Sequence, residues 1–250
     1  MKKILFLLII SIFILQSCSV NSEITYHKDS ASTTITNIDM KEAMTMMKSM
    51  IPDSAKTDEK GFDELEKMPR TWTSLYEWEK QEGKLKTTNP DSIKIMKKIF
   101  MKSNFDKDEL AGISMKMDHF TKEDYKTVGA MSRDEKLPID QMAMNSWDGK
   151  TLIIDTEKLS LDGVKDILAT KGVSGQVSET SLSTLKMMYK EIGTTLKFEN
   201  KIKSISGKHD WITKADDYSK INYDLDYLFG EEKDKKPLKN ADKKITVITE

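Results

Sequence analysis

The chain has 250 residues and a formal net charge of −1 at pH 7, and 32% of its residues are charged. Charges balanced this closely exclude a basic surface for nucleic acid. Because Cys18 is the one cysteine of the chain, a disulfide framework is excluded and the stability must come from packing. A chain of this length forms one large domain or two small ones, with enough residues for a substantial core.

The amino-terminal segment has the layout of a bacterial export signal. Lys2 and Lys3 form a positive end, and residues 4–15 are an almost wholly apolar run. A helix that spans a membrane needs roughly 20 apolar residues, so this run is too short to be a permanent anchor. We therefore expect removal of residues 1–17, which changes the formal charge from −1 to −3 because two lysines are lost.

The signal ends in Leu15-Gln16-Ser17-Cys18, which resembles the lipobox of bacterial lipoproteins. Gln16 stands where that family usually has a small or aliphatic residue. The resemblance implies a diacylglyceryl group in thioether linkage to Cys18, cleavage before it, and a further acyl chain on the new amino terminus. Several chains give lasting attachment, since each buried methylene contributes about 0.8 kcal/mol. The alternative is an ordinary cleaved signal followed by an incidental cysteine.

The residues after Cys18 bear on the destination of such a lipoprotein. In the family, aspartate after the modified cysteine retains the protein in the inner membrane of enteric bacteria, whereas this chain has Ser19. The resemblance therefore implies the outer membrane. The first acidic residue is Glu23, so the acidic run that resembles a surface-export tag in Bacteroidota is missing, which favours the periplasmic face. The abundance of lysine and isoleucine also resembles the composition of Bacteroidota proteins.

We predict three parts, namely a signal peptide (1–17), a lipidated tether (18–23) and a single α+β domain (24–250). No internal repeat and no glycine-serine linker divides the last part. The domain opens with two segments of alternating polarity, Glu23–His27 and Thr33–Ile38, which predict a hairpin.

The middle of the chain is rich in predicted helices. A capping box at Asp39 starts the first of them, whose apolar stripe ends before Pro52. Three short helices are predicted next, at Phe62–Met68, Trp72–Glu82 and Asn89–Ser103. An alternating strand at Leu110–His119 follows, and Thr121 with Asp124 then caps another short helix.

A hairpin centred on Asp148-Gly149 is the clearest local signal in the second half. Its predicted strands, Gln141–Trp147 and Lys150–Thr156, are apolar enough to be central in a sheet. Two more helices are predicted at Val164–Ala169 and Ser178–Gly193, the second with an apolar stripe.

The end of the chain is mostly strand. Alternation predicts strands at Thr194–Ile205, His209–Thr213, Lys220–Leu225 and Lys244–Thr249, and the charged segment Gly230–Asp242 predicts an exposed loop. Together the elements predict an α+β domain: a largely antiparallel, twisted sheet of about eight strands with helices packed on one face. This order resembles envelope lipoproteins whose curved sheet and helices enclose an apolar cavity for lipids.

The sequence contains no motif of a catalytic centre and none that predicts a cofactor. The three histidines, His27, His119 and His209, occur in no HExxH arrangement, and no phosphate-binding glycine loop is present. Asp118-His119 and His209-Asp210 are sequence neighbours, but neighbours on a strand point to opposite faces and make no acid–base pair by themselves. We therefore predict a protein that is not an enzyme.

Methionine pairs and a group of aromatic residues carry the remaining hypotheses. The spacings Met44-x-x-Met47, Met115-x-Met117 and Met142-x-Met144 are compatible with Cu(I) binding by thioethers, but the same spacings suit an apolar core, which we favour. The aromatic residues Trp72, Tyr76 and Trp78 could stack on carbohydrate or peptide, although burial of one helix face against the sheet is favoured.

The resulting prediction is a lipid-anchored, non-catalytic protein of the cell envelope that binds an apolar ligand or a lipid. Its partners would be the membrane, through the anchor on Cys18, and the ligand, and none would be a nucleic acid. Two alternatives stay open. One is a structural or assembly partner of another envelope protein, and the other is a periplasmic Cu(I)-binding protein that uses the methionine pairs.

Overall fold

A computed structural model describes residues 18–42, 44–45, 65, 67–131, 145–159, 189–215, 217–229 and 235–250. The strands within these ranges are β1 (Cys18–Tyr26), β2 (Ser32–Asp39), β3 (Thr73–Ser74), β4 (Ile99–Asp106), β5 (Glu109–Phe120), β6 (Asn145–Trp147), β7 (Thr151–Asp155), β8 (Tyr189–Phe198), β9 (Ile202–Ser206), β10 (Ile212–Lys214), β11 (Tyr218–Asn222) and β12 (Lys244–Thr249). The α-helices are α1 (Leu75–Gln81), α2 (Pro90–Met96), α3 (Lys122–Met131) and α4 (Leu225–Phe229). The fold is α+β, as predicted.

The large sheet has eight strands in the order β10-β11-β8-β1-β2-β5-β4-β3. Every neighbouring pair in it is antiparallel except β1 and β8, which are parallel. The prediction of a largely antiparallel sheet of this size is confirmed. Strand β1 lies in the interior of the sheet, so its backbone is hydrogen-bonded on both sides.

A second sheet of four strands, in the order β6-β7-β12-β9, was not predicted. It packs against one face of the large sheet and forms the larger core, where Ile24 and Leu196 meet Leu152, Ile154 and side chains from β12. Burying two apolar faces against each other is the ordinary way in which sheets are stabilised. The prediction had expected helices alone to cover this face.

Helices α1, α2 and α3 cover the other end of the same face. Ile95 and Val128 from the helices pack on Ile99, Met117 and Phe120 from β4 and β5. Ile99 and Met117 are in register, across β2, with Ile24 and Leu196 of the larger core. The core beneath the helices and the core beneath the small sheet therefore lie on the same face of the large sheet. The prediction that helices pack on one face is therefore confirmed for this part of the sheet.

Two strand segments had been predicted as helix. The predicted helix Asn89–Ser103 ends at Met96, and the chain enters β4 at Ile99. Residues Tyr189–Gly193, predicted to end a helix, belong to β8. In both cases the apolar residues fit a helical stripe as well as a strand, and pairing with neighbouring strands decides the outcome.

Three other boundaries differ from the prediction. The predicted tether, residues 18–23, lies within β1, where small polar residues gave no strand signal but β2 and β8 supply hydrogen bonds on both sides. The strand predicted at Thr194–Ile205 is interrupted at residues 199–201, so that β8 and β9 belong to different sheets. Apolar alternation continues across this interruption, which is why periodicity could not locate it. Strand β6, predicted as central, is at the edge of the small sheet.

The remaining strands and helices begin or end a few residues away from their predicted bounds. Helix α1 begins after the extended pair Thr73–Ser74, because the Ser74 hydroxyl accepts a hydrogen bond from Glu77 N and caps the helix. The strand predicted at His209–Thr213 begins at Ile212, and the one predicted at Lys220–Leu225 ends at Asn222 before α4.

Several local predictions are confirmed. Trp147 pairs with Leu152 across the Asp148-Gly149 turn, where Gly149 has a φ of 98°. The Thr121 hydroxyl accepts a hydrogen bond from Asp124 N at 3.3 Å, and the Asp124 carboxylate accepts one from Thr121 N at 2.9 Å. The predicted helix at Val164–Ala169, and most of those at 40–51, 62–68 and 178–193, lie outside the described residues.

Candidate functional site

Cys18, the predicted lipid acceptor, is the first residue of β1 and faces Tyr189 of β8 in the parallel pair. Its side chain is 6% exposed in the full chain, which still carries residues 1–17. Strand β1 therefore starts at the predicted attachment point, with no intervening free segment. This places the predicted attachment point at one end of the large sheet.

The same end of the sheet carries the turn between β4 and β5. Asp39, the last residue of β2, is opposite both Ser19 and Gly112, so the turn after Asp106 extends beyond them. Gly112 permits close contact here, because a Cβ at that position would lie 2.1 Å from the carbonyl oxygen of Ile38. The chain after Asp39 is held to β5 by a hydrogen bond from Met40 N to Ala111 O at 2.8 Å.

A cavity of about 470 Å³ lies between this turn and the segment after β2. Its lining includes Lys41, Met44, Thr45, Asp106, Lys107, Asp108, Glu109, Leu110 and Ala111. Met44 is 4% exposed and Leu110 is 3% exposed, so both are almost buried, and the accessible lining is as polar as it is apolar. The volume is within the range of small-molecule sites, which is roughly 300–1,000 Å³.

Charged side chains form much of the lining of the cavity. Lys41 forms an ion pair with Asp106, and the hydrogen bond from that pair raises the pKa of Lys41. Both partners are about half exposed, so the pair is accessible to solvent. Lys107 adds one further positive charge, and Asp108 and Glu109 add two negative ones. A lining that combines charges of both signs with apolar surface suits an amphiphilic molecule.

The methionine and aromatic residues named in the sequence contribute little to the lining of this cavity. Within the described part of the lining, Met44 is the one methionine and no aromatic residue is present. The charged residues of the site were missed, because Lys41 and Asp106 lie 65 positions apart and each looks like an ordinary surface charge in the sequence.

Two of the three histidines meet at the opposite end of the sheet. The rings of His27 and His119 are 4.8 Å apart, although 92 residues separate them in the sequence. His119 Nε2 is 2.7 Å from a carboxylate oxygen of Asp29, and this hydrogen bond lowers the pKa of Asp29. His119 has a φ of 49°, in the left-handed region. Asp118, its sequence neighbour, instead contacts Lys116 at 3.6 Å.

The histidine cluster contains a hydroxyl, an imidazole and a carboxylate. His27 Nε2 is hydrogen-bonded to Thr33 Oγ1 at 2.9 Å. The distance from His27 Nδ1 to Glu199 Oε2 is 3.8 Å, which is longer than a hydrogen bond. The Thr33 hydroxyl also accepts a hydrogen bond from His119 N at 3.1 Å, so it is engaged in holding β5 against β2.

His209 has a local structural role. Its Nδ1 accepts a hydrogen bond from Trp211 N at 3.2 Å, and burial lowers the pKa of His209. The neighbouring carboxylate of Asp210 accepts hydrogen bonds from the backbone of Lys239 and Asn240. The two side chains therefore serve different contacts.

The methionine pairs are only partly described. Met117 is buried in the apolar cluster beneath the helices, and Met115 packs against that cluster. These contacts are those of an apolar core, as the favoured prediction expected. Met47, Met142 and Met144 lie outside the described residues.

The three aromatic residues do not share one buried helix face. Trp72 precedes β3 and is 38% exposed, with Lys102 Nζ at 5.2 Å from the centre of its ring. Tyr76 and Trp78 are half-buried on α1, and Lys97 Nζ lies 4.9 Å from the Tyr76 ring. The prediction of a shared buried face is therefore wrong for Trp72.

Comparison with known proteins adds little. The chain matches no protein-family model and no curated protein. The NMR structure of the folded domain of the Mycobacterium tuberculosis LppM protein is similar, with 10% identity and a TM-score of 0.36 over 94% of this chain and 90% of that one. A likeness at this TM-score carries no argument about fold or function. Within the described residues, no helix is long and apolar enough to cross a membrane.

Proposed function

We propose that this protein is a lipid-anchored component of the cell envelope that binds an amphiphilic molecule in the cavity beside Lys41. The observation that carries the proposal is the position of this cavity. It lies at the end of the large sheet where β1 begins with Cys18. Acyl chains on Cys18 would therefore hold the cavity close to the membrane surface.

The register of the sheet defines how close the two sites are. Ser19 follows the acceptor cysteine and is paired with Asp39, and the lining residue Lys41 is two positions further along the chain. Adjacent strands are about 4.8 Å apart, so the anchor and the cavity are separated by a few strand widths at most. An anchored domain could take up a lipid at this end without leaving the membrane.

The chemistry of the lining favours a zwitterionic head group. Lys41 and Lys107 can bind a phosphate, while Asp106 and Glu109 can bind an amine. A bound phosphate would replace Asp106 as the partner of Lys41, so the ligand would take over an ion pair that already exists. The apolar part of the lining can contact the first part of an acyl chain.

The proposed location of the protein and its proposed attachment to the membrane rest on the lipobox resemblance. We propose the outer membrane and its periplasmic face, with the membrane and the amphiphile as partners and no role for nucleic acid. We also propose that the protein is not an enzyme. This is supported by the 3.8 Å separation of His27 from Glu199 in the cluster that most resembles a catalytic arrangement.

The test fills the cavity with a large side chain. Thr45 is exposed at the cavity, and its hydroxyl donates to the carbonyl oxygen of Lys41 at 2.9 Å. Thr127 on α3 makes the same type of bond, to Glu123 O at 3.0 Å, far from the cavity. Thr45→Trp and Thr127→Trp therefore change equivalent helical hydroxyls, and only the first obstructs the site.

The readout is binding of fluorescent phosphatidylethanolamine by the purified full chain. We expect saturable binding by the parent protein and by Thr127→Trp, and at least about a tenfold loss of affinity for Thr45→Trp, which corresponds to about 1.4 kcal/mol. Absence of binding by the parent protein, or equal binding by both variants, would remove the cavity as the ligand site.

A further inference from the structure

The face of the large sheet opposite the two cores carries a row of neutral polar residues. One residue from each of five neighbouring strands lies in register, and we name this set the amide row: Ser114 (β5), Asn37 (β2), Asn21 (β1), Gly193 (β8) and Asn222 (β11). The three asparagines of the row are exposed. Neighbouring strands are about 4.8 Å apart, so the row is about 19 Å long.

Hydrogen bonds orient one end of the amide row. Asn104 of β4 donates through its side-chain amide to Ser114 Oγ at 2.8 Å. Ser114 Oγ in turn donates to Asn37 Oδ1 at 2.6 Å. Asparagine is disfavoured in strands, so its repetition at one register across several strands has no explanation in sheet stability. The chain of bonds fixes the Asn37 amide with its NH2 group available for another partner.

The other end of the row has unused hydrogen-bonding capacity. The side chains of Asn21 and Asn222 make no hydrogen bond within the described part of the chain. Gly193 lies between them, and a Cβ there would be 3.2 Å from Asn21 Oδ1 and 3.3 Å from Asn222 Oδ1. Glycine thus leaves room for both amides to lie over its backbone, and the exposed amides themselves are the surface that a ligand would contact.

An exposed aromatic residue extends the row beyond β5. Lys102 of β4 is in register with Ser114, and its Nζ lies 5.2 Å from the centre of the Trp72 ring. Trp72 is 38% exposed, as expected for an aromatic surface that a ligand could cover. An exposed tryptophan at the end of a row of amides combines the two kinds of contact that bind sugars, namely ring stacking and hydrogen bonding to hydroxyls.

The charges around the row balance one another. On one side the next row contains Lys116, Glu23 and Lys220, and on the other it contains Asp39 and Glu191. With Lys102 at the end of the row, three lysines stand against three carboxylates. A surface without net charge attracts neither a polyanion nor a polycation, which favours a neutral ligand.

We propose that the amide row binds a neutral, linear β-1,4-linked glycan, whose chain runs across the strands with one sugar ring above Trp72. One residue of such a glycan is close in length to the spacing of adjacent strands, so successive sugars lie over successive positions of the row, three of which carry amides. This site lies on the face opposite the two cores and is independent of the cavity that Lys41 lines. The two proposals can therefore fail separately.

The test measures binding of N-acetylchitohexaose to the full chain by calorimetry. Asn21→Asp with Asn222→Asp places two charges in the row, and Ser204→Asp with Ser206→Asp places two charges on exposed positions of β9. We expect about a fivefold loss of affinity for each changed asparagine, and a similar loss for Trp72→Ala. The β9 variant and Thr45→Trp should bind like the parent protein.

The ligand class is tested with a second oligosaccharide, hexagalacturonate, which is anionic and should bind at least tenfold more weakly. Equal binding of the two would overturn the requirement for a neutral ligand. No binding of N-acetylchitohexaose, or unchanged affinity in the row variant, would overturn the site. If the row variant does not fold, the site is tested by NMR signals of the asparagine side-chain amides in the parent protein. These signals should shift on addition of the glycan, and unchanged signals would overturn the site.

Discussion

Replacement of Asp124 by asparagine should destabilise the protein measurably while preserving its shape. The carboxylate has a 5% exposed side chain and accepts hydrogen bonds from Lys98 Nζ at 2.6 Å and Thr121 N at 2.9 Å. Lys98 also donates to His119 O at 2.9 Å. These contacts join the end of α2, the end of β5 and the start of α3, so one side chain holds three elements together.

The size of the destabilisation follows from the loss of the carboxylate charge of Asp124. A hydrogen bond to a charged group contributes about 1.5–3 kcal/mol, and a neutral one contributes about 0.5–1.5 kcal/mol. Asparagine makes the bond from Thr121 N neutral and leaves the Lys98 ammonium with an uncharged acceptor, so Asp124→Asn should lower the free energy of unfolding by about 1–3 kcal/mol. Asp91, an exposed acid in the first turn of α2, provides the control, and Asp91→Asn should cost at most about 1 kcal/mol.

The destabilisation caused by Asp124→Asn should also depend on pH. Burial alone would raise the pKa of Asp124, but the hydrogen bonds from Lys98 and Thr121 outweigh burial and lower the pKa below 3.8. A lowered folded-state pKa contributes stability above pH 3.8 that is lost as the pH falls through the folded value. Urea unfolding from pH 7 to pH 3 should therefore show the difference between parent and Asp124→Asn shrinking at the acid end. A difference that stays constant over this range, or one no larger than that of Asp91→Asn, would refute the reasoning.

Three further predictions concern the anchor, the location and the methionines. Cys18→Ser should leave an uncleaved precursor that does not label with fatty acid, and a processed, membrane-bound product would contradict the lipobox assignment. Protease added to intact cells should leave the protein uncut, whereas cleavage would place it on the cell surface. Met44→Leu should cost under about 1.5 kcal/mol and Met44→Ala about 2–5 kcal/mol in urea unfolding, because Met44 is 4% exposed. A rise in the parent's midpoint with Cu(I) that Met44→Leu abolishes would favour the copper alternative.

Features encoded by adjacent residues were predicted well. The Asp148-Gly149 hairpin and the Thr121 capping box depend on side chains within a few positions of one another, so their chemistry is visible in the sequence. The class of the fold was also predictable, because alternating and helical patterns occur in a characteristic order. These features require no knowledge of which distant segments meet.

Features that depend on distant partners were missed. Ile99 and Tyr189 were expected in helices, yet each belongs to a strand that is stabilised by a neighbour elsewhere in the sequence. The ion pair of Lys41 with Asp106 and the contact of His27 with His119 are equally non-local. The amide row was invisible for the same reason, since each asparagine is unremarkable until the register aligns it with the others.

The position of Cys18 at the start of an interior strand also determines how the domain would respond to force. Strand β1 is paired with β2 at eight positions and with β8 at nine. Backbone hydrogen bonds between antiparallel strands lie across the strand direction. A pull along β1, applied through the acyl chains proposed for Cys18, would therefore load these bonds together in shear, rather than opening them one after another.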